Sequence, residues 1–178
     1  CLQLAAPAGR EMMSVVKRFL LIVCLVLPGQ LQAAAVVGEV APELSLPEVV
    51  GEETISLSSL RGKVVYVDFW AAWCGPCRVS FPQLQLLRDD LGEKGFEVLA
   101  ISVDEQASDA RAFLEEVPVT YPVVHDGEGV TPAVYGVLGM PTGYLIDREG
   151  VVRDIHQGYR KSDGEKLRAK IVTLLGEE

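Results

Sequence analysis

Two cysteines three residues apart, Cys74 and Cys77, carry the clearest chemistry in this sequence. They enclose Gly75 and Pro76, so the four residues form a C-x-x-C motif. Such a motif has two common functions, as half of a zinc site or as a dithiol that is oxidised to a disulfide and reduced again. A purely structural disulfide is a third, but a bridge across so short a loop constrains the unfolded chain little.

A structural zinc ion needs four ligands, and the sequence offers few partners for this pair. The other two cysteines, Cys1 and Cys24, lie in an N-terminal segment that we expect to be removed. The two histidines, His125 and His156, are far apart in the chain and do not form a ligand pair. The motif therefore favours a redox centre, and we predict neither a metal nor a cofactor.

The redox interpretation gives the two sulfurs different roles. We expect Cys74 at a helix N-terminus near the surface, where unpaired backbone N–H groups favour the thiolate and make it the nucleophile. Cys77, one turn later, is expected to be buried and to resolve the mixed disulfide by attacking Cys74. Gly75 lets a partner backbone approach closely, and Pro76 is tolerated in the first helical turn, where its missing N–H costs nothing.

The hydrophobic pattern predicts the strand and the helix that hold this motif. The segment 63–70, KVVYVDFW, is almost free of polar residues, which is typical of a central strand covered on both faces. After the motif, apolar residues recur with helical spacing, and the same stripe extended backwards by four residues reaches Cys77. The stripe consists of Phe81, Leu84, Leu87 and Leu91, and Gly92 ends it.

The rest of the pattern predicts strands that alternate with helices. The predicted elements are an N-terminal hairpin (44–50 with 54–57), a buried strand (96–103), a helix that Ser108 caps, a short strand (122–125), a helical turn opened by Thr131-Pro132, a hairpin (142–147 with 151–157) and a last helix opened by the capping box Ser162-x-x-Glu165. This order predicts an α/β fold, with a central mixed β-sheet flanked by helices. The absence of repeats and linkers favours one domain over residues 36–178.

The N-terminal residues indicate export. Lys17 and Arg18 precede a short apolar run, 19–27, and a small-residue stretch at 33–35 fits a cleavage site. We therefore expect a signal peptide at 13–35, or an uncleaved anchor formed by the same segment. Residues 1–12 lie upstream of Met13 and are not expected in the mature protein. The domain would be periplasmic or otherwise exported, either soluble after cleavage or anchored.

Composition and charge exclude several classes of protein. A hydrophobic content of 49% is too high for a disordered chain. Lys and Arg number 16 against 25 Asp and Glu, for a net charge of −9, whereas nucleic-acid binders usually carry a basic stripe. We predict no nucleic-acid partner and expect a monomer.

The segment VDFWAAWCGPC, residues 67–77, closely resembles the active-site strand and helix of thioredoxins. Together with the export signal and the lead-in at 36–60, it is similar to the TlpA/ResA group of exported thioredoxin-like reductases. The resemblance covers nearly all of residues 38–175. It implies a thioredoxin-like fold with the N-terminal hairpin as an extension, a Cys74–Cys77 disulfide and protein-disulfide oxidoreductase activity.

The resemblance also implies a set of substrate-binding residues around the cysteines. Trp73 would border the site together with Gly75 and Pro76. Pro141 would be a cis-proline that faces the disulfide. The backbone of Met140 would pair with the substrate chain like an added strand. Core filling is the alternative role for the Met140 side chain, since Met readily fills gaps.

Asp68 is the most informative polar residue in the predicted strand. Its side chain shares a face with Tyr66 and Trp70, so we expect it to be partly buried with a raised pKa. The resemblance implies that this acid moves the proton of Cys77 through water. The alternative is a surface aspartate at a strand end.

Two positions depart from the thioredoxin pattern or extend it. Thioredoxins usually place a lysine beside the buried acid, where this chain has Ala100, so the ion pair found there is missing here. Glu105, after the same strand, matches a position where some ResA-like proteins hold a functional acid. It is a second candidate acid, although a charged loop residue is more often simply solvated.

The leading functional hypothesis is an exported oxidoreductase that reduces disulfides of protein substrates. The resemblance implies a membrane electron donor of the DsbD/CcdA type and a role in cytochrome c maturation or related periplasmic thiol reduction. One alternative is a peroxiredoxin-like peroxide reductase, but Val67 and Ala71 stand where its P-x-x-x-[ST]-x-x-C motif needs Pro and Ser or Thr. Another is a non-enzymatic Cu(I) carrier that uses Cys74, Cys77 and Met140, because soft sulfur ligands select Cu(I).

Overall fold

The computed structural model describes residues 34–176. Residues 1–12 and nearly all of the predicted signal segment, 13–35, lie outside the described residues. None of the helices within 34–176 is long and apolar enough to cross a bilayer.

The described chain forms seven strands and four helices, with short 3-10 turns at Leu57–Leu60 and Gly92–Lys94. The strands are β1 (Ser45–Pro47), β2 (Thr54–Ser56), β3 (Val64–Trp70), β4 (Phe96–Ser102), β5 (Val123–His125), β6 (Thr142–Ile146) and β7 (Val152–Gln157). The helices are α1 (Cys77–Leu91), α2 (Ala107–Glu116), α3 (Val130–Tyr135) and α4 (Asp163–Gly176).

Five strands form the central sheet in the order β5-β4-β3-β6-β7. β3, β4 and β5 run parallel, and β6 and β7 add to them antiparallel. β3 is therefore central, and all seven of its residues are buried, which explains its continuous apolar sequence. This architecture confirms the predicted mixed α/β class.

The N-terminal hairpin, β1–β2, is a separate two-stranded sheet that pairs Leu46 with Ile55. It is shorter than the predicted segments. Just beyond it, the Val49 N–H donates to the Val123 carbonyl at 2.9 Å, so the chain after β1 runs along edge strand β5. The extension thereby covers part of an edge whose backbone groups would otherwise be open to another chain.

The sheet separates two hydrophobic cores because successive side chains of a strand point to opposite faces. The cysteine-side core includes Tyr66, Trp70, Cys77, Phe81, Phe113 and Ile171, and helices α1, α2 and α4 cover it. The opposite core includes Leu57, Val67, Phe69, Tyr135 and Tyr144, with α3 on that face. Asp68 alternates with Val67 and Phe69, so it lies on the cysteine side.

Two predicted helix caps differ in the structure. α2 begins at Ala107 after Gln106, so the prediction that Ser108 caps it was wrong. At α4 the Arg160 N–H donates to Asp163 Oδ2 at 2.8 Å. This is the bond from backbone to acidic side chain of a capping box, and it lies two residues earlier than predicted. Helix ends are the least certain part of a prediction from local sequence.

Candidate active site

The C-x-x-C motif lies where the central strand passes into the first long helix. β3 ends at Trp70 and α1 begins at Cys77, with Pro76 already in helical backbone conformation. Cys74 and Cys77 form a disulfide, with an S–S distance of 1.99 Å and Cα atoms 5.3 Å apart. The carboxyl end of a central strand and the N-terminus of a helix thus meet at the two sulfurs.

The helix N-terminus supplies a hydrogen-bond donor to Cys74. The Cys77 backbone N–H donates to Cys74 Sγ at 3.3 Å. Cys74 thus accepts a backbone N–H in the way that a helix-capping side chain does. A negative charge on that sulfur is favoured by this donor and by the positive end of the helix dipole. No equivalent donor to Cys77 Sγ is found among the described hydrogen bonds, so the two sulfurs differ in their electrostatic environment.

Both cysteines are buried in the disulfide form, which corrects the expectation that Cys74 lies near the surface. Cys74 is 4% exposed and Cys77 is 0% exposed. Cys74 belongs to the cysteine-side core together with its partner. Its neighbours remain open to solvent, because Gly75 and Pro76 are exposed and the Trp73 side chain is 74% exposed.

The segment before β6 contains Met140 and Pro141, two of the residues that the resemblance assigned to substrate binding. The peptide between Met140 and Pro141 is cis. The segment is held on both sides, since Thr142 Oγ1 donates to the Gly139 carbonyl at 2.6 Å and the Gly158 N–H donates to the Pro141 carbonyl at 2.8 Å. The half-buried Met140 side chain packs against both cores, as the core-filling alternative expects. Backbone pairing with a substrate stays a prediction.

Asp68 is more deeply buried than expected, with 1% of its surface exposed. Within residues 34–176 its Oδ2 atom has no hydrogen-bond partner. Its neighbours across the sheet are Ala100 on β4 and Gly143 on β6, the residues with the smallest side chains. Burial raises the pKa of Asp68 from 3.8 to about 8. A carboxyl with that pKa can exchange a proton near neutral pH.

A second buried acid, Asp104, was missed by the sequence analysis. Both of its carboxylate oxygens accept the Ala72 backbone N–H at 3.0 Å, and Ser102 Oγ donates to Oδ2 at 2.9 Å. Ala72 lies two residues before Cys74, so Asp104 anchors the loop that leads into the disulfide. The available signal was its position just after β4, because the carboxyl ends of neighbouring parallel strands lie at one edge.

Glu105, the second candidate acid, is exposed, and no hydrogen bond or ion pair of its side chain is found among the described contacts. Its functional role stays a prediction. The buried carboxylate near the disulfide loop is its neighbour Asp104, at 2% exposure. Two further polar residues, Tyr66 and His156, lie on the Asp68 face of the sheet and were not identified as functional from sequence.

Comparison with known proteins now decides the family. A model of the Redoxin family matches residues 36–171. The chain belongs to the Redoxin family. Among its relatives, the thiol-disulfide oxidoreductase ResA of Oceanobacillus iheyensis is 38% identical over 125 residues, which is 68% of this chain and 65% of that relative's length. The thioredoxin-like protein YneN of Bacillus subtilis is 37% identical over 124 residues, which is 68% of this chain and 71% of that relative's length.

A solved structure similar to this Redoxin chain supports the same enzyme class. A Chlorobium tepidum protein assigned as the thiol:disulfide interchange protein DsbE has 45% identity and a TM-score of 0.77, and the match covers 80% of this chain and 100% of that one. The fold is thioredoxin-like, as the resemblance implied. The enzyme class is that of these relatives, thiol–disulfide oxidoreductase.

Proposed function

We propose that this Redoxin is an exported reductase of protein disulfides that works by dithiol exchange through Cys74 and Cys77. The observation that carries the proposal is the disulfide at the N-terminus of α1, on the same side of the sheet as the buried Asp68. One sulfur accepts a backbone N–H, and the Asp68 carboxyl on this side of the sheet has its pKa raised to about 8, in the range where thiol chemistry operates.

The reaction begins with the reduced protein. The Cys74 thiolate attacks one sulfur of a target disulfide, a bond forms between the two sulfurs, and the second target sulfur leaves as a thiolate. Cys77 then gives its proton, through water, to the Asp68 carboxylate and attacks Cys74 Sγ. The first target sulfur, which was bonded to Cys74, now leaves as a thiolate, and the two target thiolates take up protons from solvent to become a dithiol. Two electrons have passed to the target, and the Cys74–Cys77 disulfide is the oxidised product.

The surroundings of the motif support a protein as the substrate. Trp73, Gly75 and Pro76 are exposed around a nearly buried disulfide, so a partner must bring its own disulfide to this surface. An exposed Trp is a typical anchor in protein recognition. In this proposal the backbone at Met140 adds hydrogen bonds to an extended substrate segment.

The proposed direction is reduction in an exported compartment. The Gly-Pro pair between the cysteines resembles that of reducing thioredoxins, and the sequence at 13–35 resembles an export signal. A reductase in an oxidising compartment needs electrons from outside, so we propose a membrane donor of the DsbD/CcdA type. The resemblance to the TlpA/ResA group makes apocytochrome c and related periplasmic thiols the first targets to try.

Reduction potential is the measurement that tests this function. The purified protein is equilibrated with dithiothreitol or glutathione buffers, and the fraction of Cys74–Cys77 disulfide is read by mass spectrometry after alkylation. We expect a two-electron couple near the thioredoxin value of about −270 mV. A value near about −120 mV would make the protein an oxidant instead. The Cys77→Ser variant is the control, because it has no intramolecular couple.

Peroxide reduction is tested with the same preparation. The peroxiredoxin motif places a hydroxyl residue three positions before the cysteine, where this chain has Ala71, and Val67 is buried in the opposite core. No hydroxyl is available there to activate a peroxide at Cys74. We expect catalytic reduction of insulin and no catalytic consumption of hydrogen peroxide. Stoichiometric Cu(I) binding without insulin reduction would favour the carrier alternative.

A further inference from the structure

Four residues stand in one row across the sheet on the cysteine side. The register pairs Ala100 with Asp68, Asp68 with Gly143, and Gly143 with His156. Directly opposed residues in neighbouring strands project from the same face. Asp68 and His156 are therefore separated by a single strand, which is about 10 Å at the usual strand spacing. The residue between them has no side chain.

The phenol of Tyr66 fills the space above that glycine. A Cβ atom on Gly143 would collide with the Tyr66 hydroxyl, so only glycine is compatible with this arrangement. The hydroxyl thus lies between the Asp68 and His156 positions, with Tyr66 itself 1% exposed. Burial, followed by the negative charge of Asp68, raises the pKa of Tyr66 well above 10, so the phenol keeps its proton. A neutral hydroxyl can accept one hydrogen bond and donate another.

The row leads outward to a cavity beside α4. The cavity has a volume of about 210 Å³, and its lining includes His156, Tyr159 and Asp163. That volume is enough for several water molecules. The His156 side chain is 32% exposed and Asp68 is buried, so the row connects the protein interior with solvent.

Buried polar atoms without a hydrogen-bond partner lie in this row and beside it. Within residues 34–176, Asp68 Oδ2, Tyr159 Oη and His156 Nε2 are buried atoms without a hydrogen-bond partner. His156 Nε2 is 3.4 Å from Asp163 Oδ2, which is an ion-pair distance without hydrogen-bond geometry. Buried polar groups are normally satisfied, and those that are not call for an explanation such as water or a catalytic role.

We propose that Tyr66 and His156 form the route by which the proton of Asp68 exchanges with solvent. The inference rests on the proposed function. When Cys77 is deprotonated, Asp68 takes its proton and then passes one, through water, to the Tyr66 oxygen. Tyr66 gives up its own hydroxyl proton to His156, directly or through water in the cavity, and His156 releases a proton to solvent. Each group ends as it began, and the reverse sequence returns a proton when the disulfide is reduced.

The charged groups around the outer end favour this transfer. Asp163 and the two lysines Lys166 and Lys170 line the cavity from α4, and Asp154 lines it from β7. The Arg160 backbone N–H, and then the neighbouring His156, lower the pKa of Asp163, so this carboxylate stays ionised. Lys170 Nζ is 2.6 Å from Asp154 Oδ2, which offsets one of the positive charges. A proton on His156 therefore faces an ionised carboxylate at 3.4 Å.

Chemical rescue provides the sharpest test. The reduced protein is mixed with excess insulin at pH 7. The formation of the Cys74–Cys77 disulfide is monitored by rapid acid quench and mass spectrometry. We expect His156→Ala to lower the rate about 100-fold, at the lower end of the range for a lost proton-transfer group. Added imidazole should restore the rate in proportion to its concentration, because it can enter the enlarged cavity. Imidazole should leave the wild-type rate unchanged.

Tyr66→Phe tests the inner half of the route. It removes one hydroxyl and keeps the ring, so we expect a loss of similar size that imidazole does not rescue. Tyr144→Phe is the matched control, because Tyr144 lies in the opposite core and donates to the Tyr135 carbonyl at 2.8 Å. Its rate should match that of the wild type. The reduction potential of His156→Ala should also be unchanged, because a relay alters rates and not equilibria.

Two results would overturn the route. One is a His156→Ala variant with the wild-type rate, and the other is a slow variant that imidazole does not restore. Failure of the proposed function has a different signature, since the wild-type protein would then fail to reduce insulin at all.

Discussion

Asp68 and Ala100 stand opposite each other in the parallel pair β3–β4, so the buried carboxyl has a methyl group beside it where a cation could stand. Desolvation is the cause of the raised Asp68 pKa. The proton affinity of the site is therefore determined by burial, which makes it open to adjustment from the neighbouring strand.

A lysine at position 100 should shift the pH dependence of the reaction. In Ala100→Lys the ammonium group beside Asp68 favours the carboxylate and should lower its pKa by about one to three pH units from the value of about 8. The measurement is the pH profile of insulin reduction, whose midpoint should move to lower pH. Ala100→Met is the control, since it crowds the same buried position without charge. An equal shift in both variants would contradict the electrostatic explanation.

Asp68 should make the protein less stable as the pH rises. Its folded-state pKa, about 8, lies above its usual value of 3.8, so its contribution to stability is fully present below pH 3.8 and is lost as the pH approaches 8. Asp68→Asn does not titrate, so its free energy of unfolding should exceed that of the wild type by several kcal/mol above pH 8 and by little near pH 4. Urea unfolding of the oxidised proteins measures this. Asp109→Asn, at an exposed site, should give no such trend.

The two cysteines should behave differently when each is replaced. Cys74 Sγ accepts the Cys77 N–H, so Cys74 is expected to attack and Cys77 to resolve. Cys77→Ser should accumulate a mixed disulfide between Cys74 and insulin, visible by mass spectrometry under non-reducing conditions. Cys74→Ser should accumulate little or none. Comparable adducts through Cys77 would reverse the assignment.

Asp104 should contribute to the stability of the loop before the disulfide. Replacing it by Asn weakens the paired acceptance of the Ala72 N–H at 3.0 Å and the bond from Ser102. The expected cost is about 1 to 3 kcal/mol, because a buried donor loses its charged acceptor. Thermal unfolding measures it. Glu105→Gln is the neighbouring control and should leave the unfolding temperature unchanged. A lower rate of insulin reduction by Glu105→Gln would support Glu105 as the second acid.

Trp73 should matter for binding a protein substrate and little for stability. Its side chain is 74% exposed, so Trp73→Ala removes few internal contacts. The KM for insulin should rise about tenfold, as for the loss of a moderate interface anchor. The reduction potential and the rate with oxidised glutathione should stay the same. If both substrates were affected equally, Trp73 would act on the cysteines themselves.

Much of the fold and of the reactive centre could be predicted from the sequence. The apolar run of β3 and the helical stripe of α1 are local patterns, and they meet at the C-x-x-C motif because it lies between them in the chain. The burial of Cys77 and Asp68 followed from the same periodicity. The burial of Cys74 did not, because it depends on how the core from other parts of the chain packs around the start of α1.

The sequence by itself therefore determined the redox motif, its flanking elements and the class of fold, since all of these depend on residues close together in the chain. Only the tertiary structure decided the surroundings of Asp68. Ala100, Gly143 and His156 come from three other strands, and the strand order and register put them in one row. A shift of one residue in any register would turn the side chains to the other face, and local sequence carries no measure of that alignment.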